Sequence, residues 1–390
     1  MISREIINFM KKALIFGGSN GLGAAIIERL ALLYPGIEIT DVDCVPPSYS
    51  KPVVSYVQAD FAKGYGIAGY CFEDADIVIY TAGIGRLDHF EDFAPAETRR
   101  YWSVNTQTPI ELIEHFSKRL LSDRPFYLGF VTSIAAQVGS PFFAIYSASK
   151  AALAKYIEAV DTELEGAGHP NRILDYCPGF IKGSHFYGLA NQPAELEKYA
   201  DDFLDALQKQ ESWRLALNDP TYINVIKRYQ DDPHRFDLDS YQYKQASGRM
   251  NPNPKLTVGY MSGTFDLFHI GHLNILKNAK SHCDYLVVGV HTSGKFKGKE
   301  TFIPLNERKA IVEAISYVDE VIDAPDDDID YVLKHQPDFL FVGGDYKGSE
   351  RFNRYEEILK DKKTKIVYFP YTKGTSSTKL REALDAIKKQ

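Results

Sequence analysis

Short apolar runs alternate with stretches of helical period along most of this chain. Residues 13–16 form an apolar run, a glycine turn follows, then a helical pattern over 24–33 and a second apolar run at 37–40, which together predict a βαβ unit. The alternation continues with strand-like runs at 77–80, 126–131 and 173–176 and helix-like stretches at 109–120 and 147–164. Strands that alternate with helices imply a parallel, doubly wound sheet.

Between 183 and 239 the pattern changes to polar and aromatic residues with helical patches, such as 194–210, and no clear strand. The run Gly248-Arg249-Met250-Asn251-Pro252-Asn253-Pro254 follows, and its two Asn-Pro steps favour extended or turn backbone, so 248–254 is expected to be a linker. Alternation then restarts: strand-like runs at 255–260, 285–290, 339–342 and 366–369, helix-like stretches at 273–279 and 305–315, and a final helix over about 377–387. No fixed-period repeat relates the halves. The expected fold class is α/β, with two doubly wound parallel-sheet domains: a Rossmann-type domain over 1–247 and a smaller Rossmann-like domain over 255–390.

A length of 390 residues agrees with two domains, because single cores stop growing below that size. With 44% hydrophobic and 25% charged residues, both should bury real cores. A formal charge of -7 argues against nucleic acid as a partner, while leaving room for a local basic pocket. Cys44, Cys71, Cys177 and Cys283 show no paired or metal-ligand spacing and are expected to be reduced thiols, with no metal site. The charged start, 1–12, has no apolar run long enough for a signal peptide or membrane span, so a cytoplasmic protein with no membrane partner is expected.

Gly17-Gly18-Ser19-Asn20-Gly21-Leu22-Gly23 lies between a predicted strand and helix, where glycines let the backbone approach a pyrophosphate and the helix start aims N–H groups at it. Downstream, Tyr146 and Lys150 are four apart on one predicted helix face. A tyrosine at its ordinary pKa, about 10, is a poor proton donor and acceptor at neutral pH, and a neighbouring ammonium is expected to lower it. Ser133, ending the strand-like run 126–131, is placed to hydrogen-bond the same carbonyl oxygen.

On these motifs residues 13 to about 190 resemble a short-chain dehydrogenase/reductase. Gly17, Gly21 and Gly23 match that family's glycine motif, Asp60 its adenine-contacting acid, with Phe61 beside it, Ala82 and Gly83 the motif after the fourth strand, and Pro178 and Gly179 the turn after the sixth. Asn105, Ser133, Tyr146 and Lys150 match its catalytic four. The resemblance implies that Asn105 holds a relay water through Lys150, and that Lys150 also binds the nicotinamide ribose. The cofactor is expected to be NAD(H) or NADP(H), bound by the glycine segment including Ser19, Asn20 and Leu22. Asp41, 18 residues after Gly23, is where a carboxylate would bond the adenosine ribose and repel a 2′-phosphate, which favours NADH; Asp43 is the alternative. Phe16 and Thr81 stand where the family usually has Thr and Asn, and 183–239 is left as an unassigned substrate lid.

In the second half, Gly263-Thr264-Phe265-Asp266-Leu267-Phe268-His269-Ile270-Gly271-His272 follows a predicted strand and enters a helix, so both imidazoles face one side near a helix start. Their donors, with the helix N–H groups, suit charge developing on a phosphoryl group. Residues 256–384 resemble the cytidylyltransferases of the HxGH nucleotidyltransferase superfamily, and Asn306-Glu307-Arg308-Lys309, Tyr317-Val318-Asp319-Glu320-Val321 and Gly344-Asp345 look most like glycerol-phosphate cytidylyltransferase. The resemblance implies that CTP is bound by Gly263, Thr264, Phe265, His269, His272, Lys299, Arg308, Asp345, Lys373, Thr375, Ser376, Ser377 and Thr378, with Mg²⁺ accompanying the triphosphate. Tyr371 stands where the family has Arg, and Lys373 is the candidate replacement. Of Lys295, Lys297 and Lys299, at least one is expected only to be solvated.

A reductase and a cytidylyltransferase share one natural intermediate, a polyol phosphate. The expected function is therefore CDP-polyol synthesis from a keto-sugar phosphate, first ribulose 5-phosphate to CDP-ribitol, with glycerol, mannitol and arabinitol versions and the reverse order of steps left open. Such products feed capsule or teichoic-acid-like polymers in the families resembled. A homo-oligomer, dimer or tetramer, is expected. The rival reading is a cytidylyltransferase with a non-catalytic NAD(H)-sensing domain.

Overall fold

The computed structural model describes residues 10–47, 54–63, 74–181, 193–247, 256–292, 301–370 and 380. The chain divides into two compact units that part between Pro254 and Lys255.

The first unit is built on seven parallel strands: β1 (Lys12–Phe16), β2 (Glu38–Asp43), β3 (Val54–Gln58), β4 (Ile77–Tyr80), β5 (Tyr127–Val131), β6 (Ile173–Cys177) and β7 (Trp213–Leu215), in the order β3-β2-β1-β4-β5-β6-β7. Its helices are α1 (Gly21–Leu33), α2 (Pro95–Trp102), α3 (Thr108–His115), α4 (Ser117–Leu120), α5 (Ala144–Gly166), α6 (Pro193–Gln208), α7 (Pro220–Asp231) and α8 (Pro233–Ala246). Strands β1 and β4 are buried on both faces and divide their side chains between two cores. Ile15, Ile77 and Ile79 pack with Ile26 of α1 and Phe203 and Leu207 of α6. Phe16, Val78 and Tyr80 pack with Leu112 of α3 and Leu153 and Ile157 of α5. The single helix expected over 109–120 is broken where Phe116 turns inward onto Phe126, ring centroids 5.3 Å apart.

The second unit is a five-stranded parallel sheet, β8 (Val258–Gly263), β9 (Tyr285–Val290), β10 (Glu320–Asp323), β11 (Phe339–Gly343) and β12 (Lys365–Phe369), in the order β10-β9-β8-β11-β12. Its helices are α9 (Ile270–Lys280), α10 (Leu305–Glu313), α11 (Asp328–His335) and α12 (Glu350–Leu359). Tyr260, Val287 and Leu340 pack against Val332 of α11 and Phe352 of α12. Met261, Val288 and Phe341 pack against Leu276 of α9 and Val312 of α10.

In each sheet the strand order reverses once, between β1 and β4 and between β8 and β11, and crevices for ligands in open α/β sheets lie at such points, at the carboxyl ends of the strands. Both sequence motifs follow the first strand of their sheet. No described helix is long and apolar enough to cross a membrane. The linker 248–254, the final helix and Cys71 lie outside the described residues.

Candidate functional sites

At the first reversal, Gly17 turns with φ +86°, a conformation that disfavours a side chain, and a Cβ there would lie 2.5 Å from the Ala82 nitrogen. The ends of β1 and β4 are stitched directly: the Thr81 and Ala82 N–H groups both donate to the Phe16 carbonyl, at 2.8 and 3.1 Å. The Thr81 hydroxyl donates to the Gly17 carbonyl at 2.8 Å. Thr81, read from sequence only as a departure, is thus a brace for the glycine turn. Asn20 begins α1 without a side-chain cap, and the space beside Gly21 is open. Close backbone, an open glycine and the start of a 13-residue helix fit the pyrophosphate of a dinucleotide. Leu22 and Gly23 are buried where α1 packs on the sheet.

Two cofactor assignments need correction. Phe61 is 4% exposed and packs against Phe16 and Tyr80, with ring centroids 5.9 and 5.7 Å apart, so its side chain belongs to the core. Phe16 replaces the family's Thr as part of this aromatic cluster. Asp41 does not present its carboxylate at the surface: it is fully buried, with the Ser19 hydroxyl 2.9 Å from its Oδ2. Asp43 accepts the Ser19 N–H at 3.1 Å, so both candidate acids lie against Ser19. Asp60 accepts the Ala62 N–H at 3.0 Å and caps a short 3₁₀ turn.

The four catalytic candidates come from separate elements. Asn105 lies in a π-helical turn, Ser103–Gln107, and its carboxamide grips Ile84, donating to the carbonyl at 2.9 Å and accepting the N–H at 3.0 Å. Ser133, just past β5, caps a 3₁₀ turn, and the Ile134 N–H donates to the Pro178 carbonyl at 2.8 Å. Tyr146 and Lys150 share the buried face of α5, and Tyr146 hydrogen-bonds Ser133. Lys150 donates to the Val131 carbonyl at 2.8 Å. Gly83 opens onto this group: a Cβ there would lie 3.3 Å from the Lys150 Nζ and 3.6 Å from the Asn105 Oδ1. Leu87, Tyr101, Phe142 and Phe143 form an apolar wall around Tyr146.

The electrostatics run against the sequence expectation. Burial pushes the Tyr146 hydroxyl up to about 12, against a lowering by its hydrogen bond to Ser133. Burial also pushes Lys150 down to about 8, against the opposing charge of Asp175. Desolvation disfavours the charged form of each group and outweighs the expected help of the ammonium to the phenol.

Gly179 and the segment after it meet a residue with no sequence signal. A Cβ on Gly179 would fall within 2.0 Å of the Tyr222 ring of α7, and the Tyr222 hydroxyl accepts the Phe180 N–H at 2.6 Å. From α8, Lys244 donates to the Ser140 hydroxyl at 2.6 Å and the Pro141 carbonyl at 3.1 Å. The helical pair α7 and α8 therefore covers the segments beside Tyr146, in the region that sequence left unassigned.

At the second reversal, β8 ends at Gly263 and the turn that follows holds Phe265 and Leu267 in left-handed conformations, φ 51° and 49°. The Phe265 ring is buried in the core, and Asp266 fixes the turn by accepting the Phe302 and Ile303 N–H groups at 3.1 and 3.0 Å. His269 caps α9, its Nδ1 accepting the Gly271 N–H at 3.0 Å. In the neutral ring the proton then sits on Nε2, so the other nitrogen is a donor. Burial lowers the His269 pKa, which favours that neutral ring. The His269 and His272 rings stack with centroids 4.1 Å apart, as the spacing predicted.

Arg308 needs a correction too. Its side chain is fully buried, and its guanidinium donates to four carbonyls, those of Thr264, His291, Thr292 and Ile303. Every nitrogen is spent on backbone, so Arg308 staples the loops around β8 and β9 and offers no open charge to a triphosphate. Asp345 is exposed after β11, at the mouth of the reversal. Lys295, Lys297, Lys299, Tyr371, Lys373, Thr375, Ser376, Ser377 and Thr378 lie outside the described residues.

Comparison with known proteins agrees with this division. The short chain dehydrogenase family model matches residues 60–193, and the cytidylyltransferase-like model matches 260–383. Glycerol-3-phosphate cytidylyltransferase of Bacillus subtilis (strain 168) is 38% identical over 131 residues, 32% of this chain and 95% of that protein. The enzyme of the same name from Staphylococcus aureus (strain NCTC 8325 / PS 47) is 34% identical over 31% of this chain and 90% of its own length. A short chain dehydrogenase from Burkholderia cenocepacia J2315, solved in complex with NADP, is 24% identical over 59% of this chain and 97% of that one, with a TM-score of 0.48. Through its second unit the chain belongs to the cytidylyltransferase family that includes these glycerol-3-phosphate enzymes, and its first unit is a short-chain dehydrogenase/reductase domain.

Proposed function

We infer that this protein makes a CDP-polyol by reducing a keto-sugar phosphate and transferring a cytidylyl group to the product. One observation carries the reading: a Ser133, Tyr146 and Lys150 cluster suited to carbonyl reduction shares a chain with a His269 and His272 pair suited to phosphoryl transfer. The first-choice substrate is ribulose 5-phosphate and the first-choice product CDP-ribitol, intended for capsule or teichoic-acid-like polymers. Glycerol, mannitol and arabinitol versions use the same chemistry.

For the reductase, a nicotinamide dinucleotide held over the glycine turn supplies the reducing equivalent. Tyr146 donates the proton to the carbonyl oxygen, Ser133 orients that oxygen, and Lys150 supports the phenol electrostatically and binds the ribose. Asn105 fixes the backbone at Ile84 and lies next to Gly83, where a relay water would connect it to Lys150. NADH is the proposed cofactor, because Asp43, the less buried of the two acids beside Ser19, repels a 2′-phosphate.

For the transferase, a phosphate oxygen of the polyol phosphate attacks the α-phosphorus of CTP in line, the bond to the β-phosphate oxygen breaks, and pyrophosphate leaves. Donors of His269 and His272 and the first N–H groups of α9 face the charge that develops. Mg²⁺ enters with CTP. Magnesium usually keeps several waters and leans on the phosphates it accompanies, so when bound it would neutralise charge on the triphosphate.

The test is incubation with CTP, Mg²⁺ and NADH or NADPH against a panel of ketose phosphates, with mass spectrometry of the nucleotide product. A CDP adduct two hydrogens heavier than the CDP-ketose is expected. Absence of any CDP adduct from every ketose and polyol phosphate refutes the reading. CDP transfer to supplied polyol phosphates without any NAD(P)H oxidation favours a sensing role for the first domain.

A further inference from the structure

The reductase site contains a second buried charge that none of the catalytic candidates accounts for. Asp175, in β6, is 5% exposed, and Lys150 is 3% exposed. The two hang from consecutive residues at the end of β5: Lys150 donates to the carbonyl of Val131, the last residue of the strand, at 2.8 Å, and the hydroxyl of Thr132, the residue after it, donates to the Asp175 carboxylate. Asp175 alternates along β6 with Leu174 and Tyr176, which face the other core, so it points with Ile173 toward the side of the sheet that α5 covers. An isolated carboxylate or ammonium in such surroundings is costly unless the other offsets it.

We propose that Asp175 is a positioning residue of the reductase site, a buried counter-charge that holds Lys150 as the ammonium ion and so sets the upper pH limit of carbonyl reduction. This rests on the reductase reading above. Asp175 touches neither the carbonyl nor the phenol in this arrangement; it acts through Lys150.

The groups around the pair are consistent with that role. On α5, Tyr146 is neutral through the working range, and Glu158 opposes the ionisation of Asp175. On β6, burial and the Asp175 charge push the Cys177 thiol far up, leaving it neutral. On β7, Trp213 pairs with Asp175 in register, and Arg214 is committed to Asp202, Asp205 and Glu211. From the π-helical turn, Asn105 contributes a neutral carboxamide bonded to Ser149 at 3.1 Å. Lys150 is thus the cation that acts on Asp175, lowering a carboxyl that burial raises to about 6, and Asp175 is the anion that raises Lys150 against its own burial.

The sign follows. Without the carboxylate, Lys150 loses its proton at lower pH, so activity that needs the ammonium disappears earlier as pH rises. Asp175→Asn keeps an acceptor for the Thr132 hydroxyl and removes only the charge. In the full-length protein, NADH oxidation with the productive ketose phosphate should keep its acid-side plateau, while its alkaline limb moves down by about one pH unit, a roughly tenfold loss at the top of the range. CTP turnover on supplied polyol phosphate should be unchanged. An alkaline limb that does not move overturns the proposal.

A double-mutant cycle on thermal unfolding decides the same question without substrate. Lys150→Met should lower the reductase-domain melting temperature by stranding Asp175, and adding Asp175→Asn should recover most of that loss. Simple addition of the two losses overturns the proposal. If the wild type reduces no carbonyl at all, the functional reading fails, and the cycle still reports whether the two charges are partners.

Discussion

Replacing Arg308 with methionine separates two roles for this residue. As a phosphate ligand it would be dispensable for folding; as a staple it would not. Methionine fills a similar volume but leaves the carbonyls of Thr264, His291, Thr292 and Ile303 without their donor. Each hydrogen bond from a charged donor contributes roughly 1.5–3 kcal/mol, so four give about 6–12 kcal/mol gross. Releasing the guanidinium from a fully buried site returns several kcal/mol of desolvation, for a net loss of about 3–5 kcal/mol. In a domain of this size that lowers the melting temperature by roughly 10–15 °C. Arg308→Lys should lose almost as much, because one ammonium cannot span four carbonyls. Differential scanning calorimetry of the full chain would show the loss in the transferase transition, with NADH oxidation intact. An unchanged transition accompanied only by a higher KM for CTP refutes the staple and restores Arg308 as a phosphate contact.

Tyr146→Phe should lower ketose phosphate reduction by roughly 10²–10⁴-fold and leave CTP turnover on polyol phosphate intact, as separate assays of the two half-reactions would show. Gly17→Ala places a methyl group 2.5 Å from the Ala82 nitrogen in a left-handed turn, and should cost about 2–5 kcal/mol in denaturant unfolding of the reductase domain and weaken dinucleotide binding in calorimetric titration. His269→Ala should reduce cytidylyl transfer by roughly 10²–10³-fold in a pyrophosphate-release assay, with a smaller change in KM for CTP. Asp43→Asn removes the less buried of the two carboxylates beside Ser19 and should raise the NADPH to NADH ratio of kcat/KM by roughly tenfold; an unchanged ratio would mean that the 2′-phosphate approaches elsewhere.

The pattern of apolar residues reached the interior of both sheets and one edge, β12, and failed at the other three edges. β1, β4, β5, β6, β8, β9 and β11 all read as largely apolar runs because helices cover both faces of each sheet. The strands without such a signal, β3, β7 and β10, each lie at the edge of a sheet. β3 has no fully buried residue, and β7 is three residues long with Trp213 exposed. Their place is set by pairing with a neighbour already in the sheet, which a local pattern does not record. α8 gave little signal for a related reason, since Phe236 is its one buried residue while Leu238 and Tyr243 are exposed; α7 does carry a half-buried stripe, Tyr222, Val225, Ile226 and Tyr229.

The candidate site was legible where chemistry depends on spacing and illegible where it depends on burial. His269 and His272 stack because three residues on a helix bring them to one side, and Tyr146 and Lys150 share a face for the same reason. Burial then changes what those residue types do. Arg308 became a donor to backbone once no water could reach it, and Phe61 became core once Phe16 replaced a small polar residue beside it. The Lys150 ammonium was expected to lower the Tyr146 pKa by favouring the phenolate, yet desolvation moves both groups toward their uncharged forms. A tyrosine pushed up to about 12 is a firm proton holder, suited to release its proton only when a carbonyl oxygen gains negative charge beside it. Lys150 tunes that threshold, so the proposed counter-charge on β6, invisible to any motif, would adjust the pH range over which the motif tyrosine works.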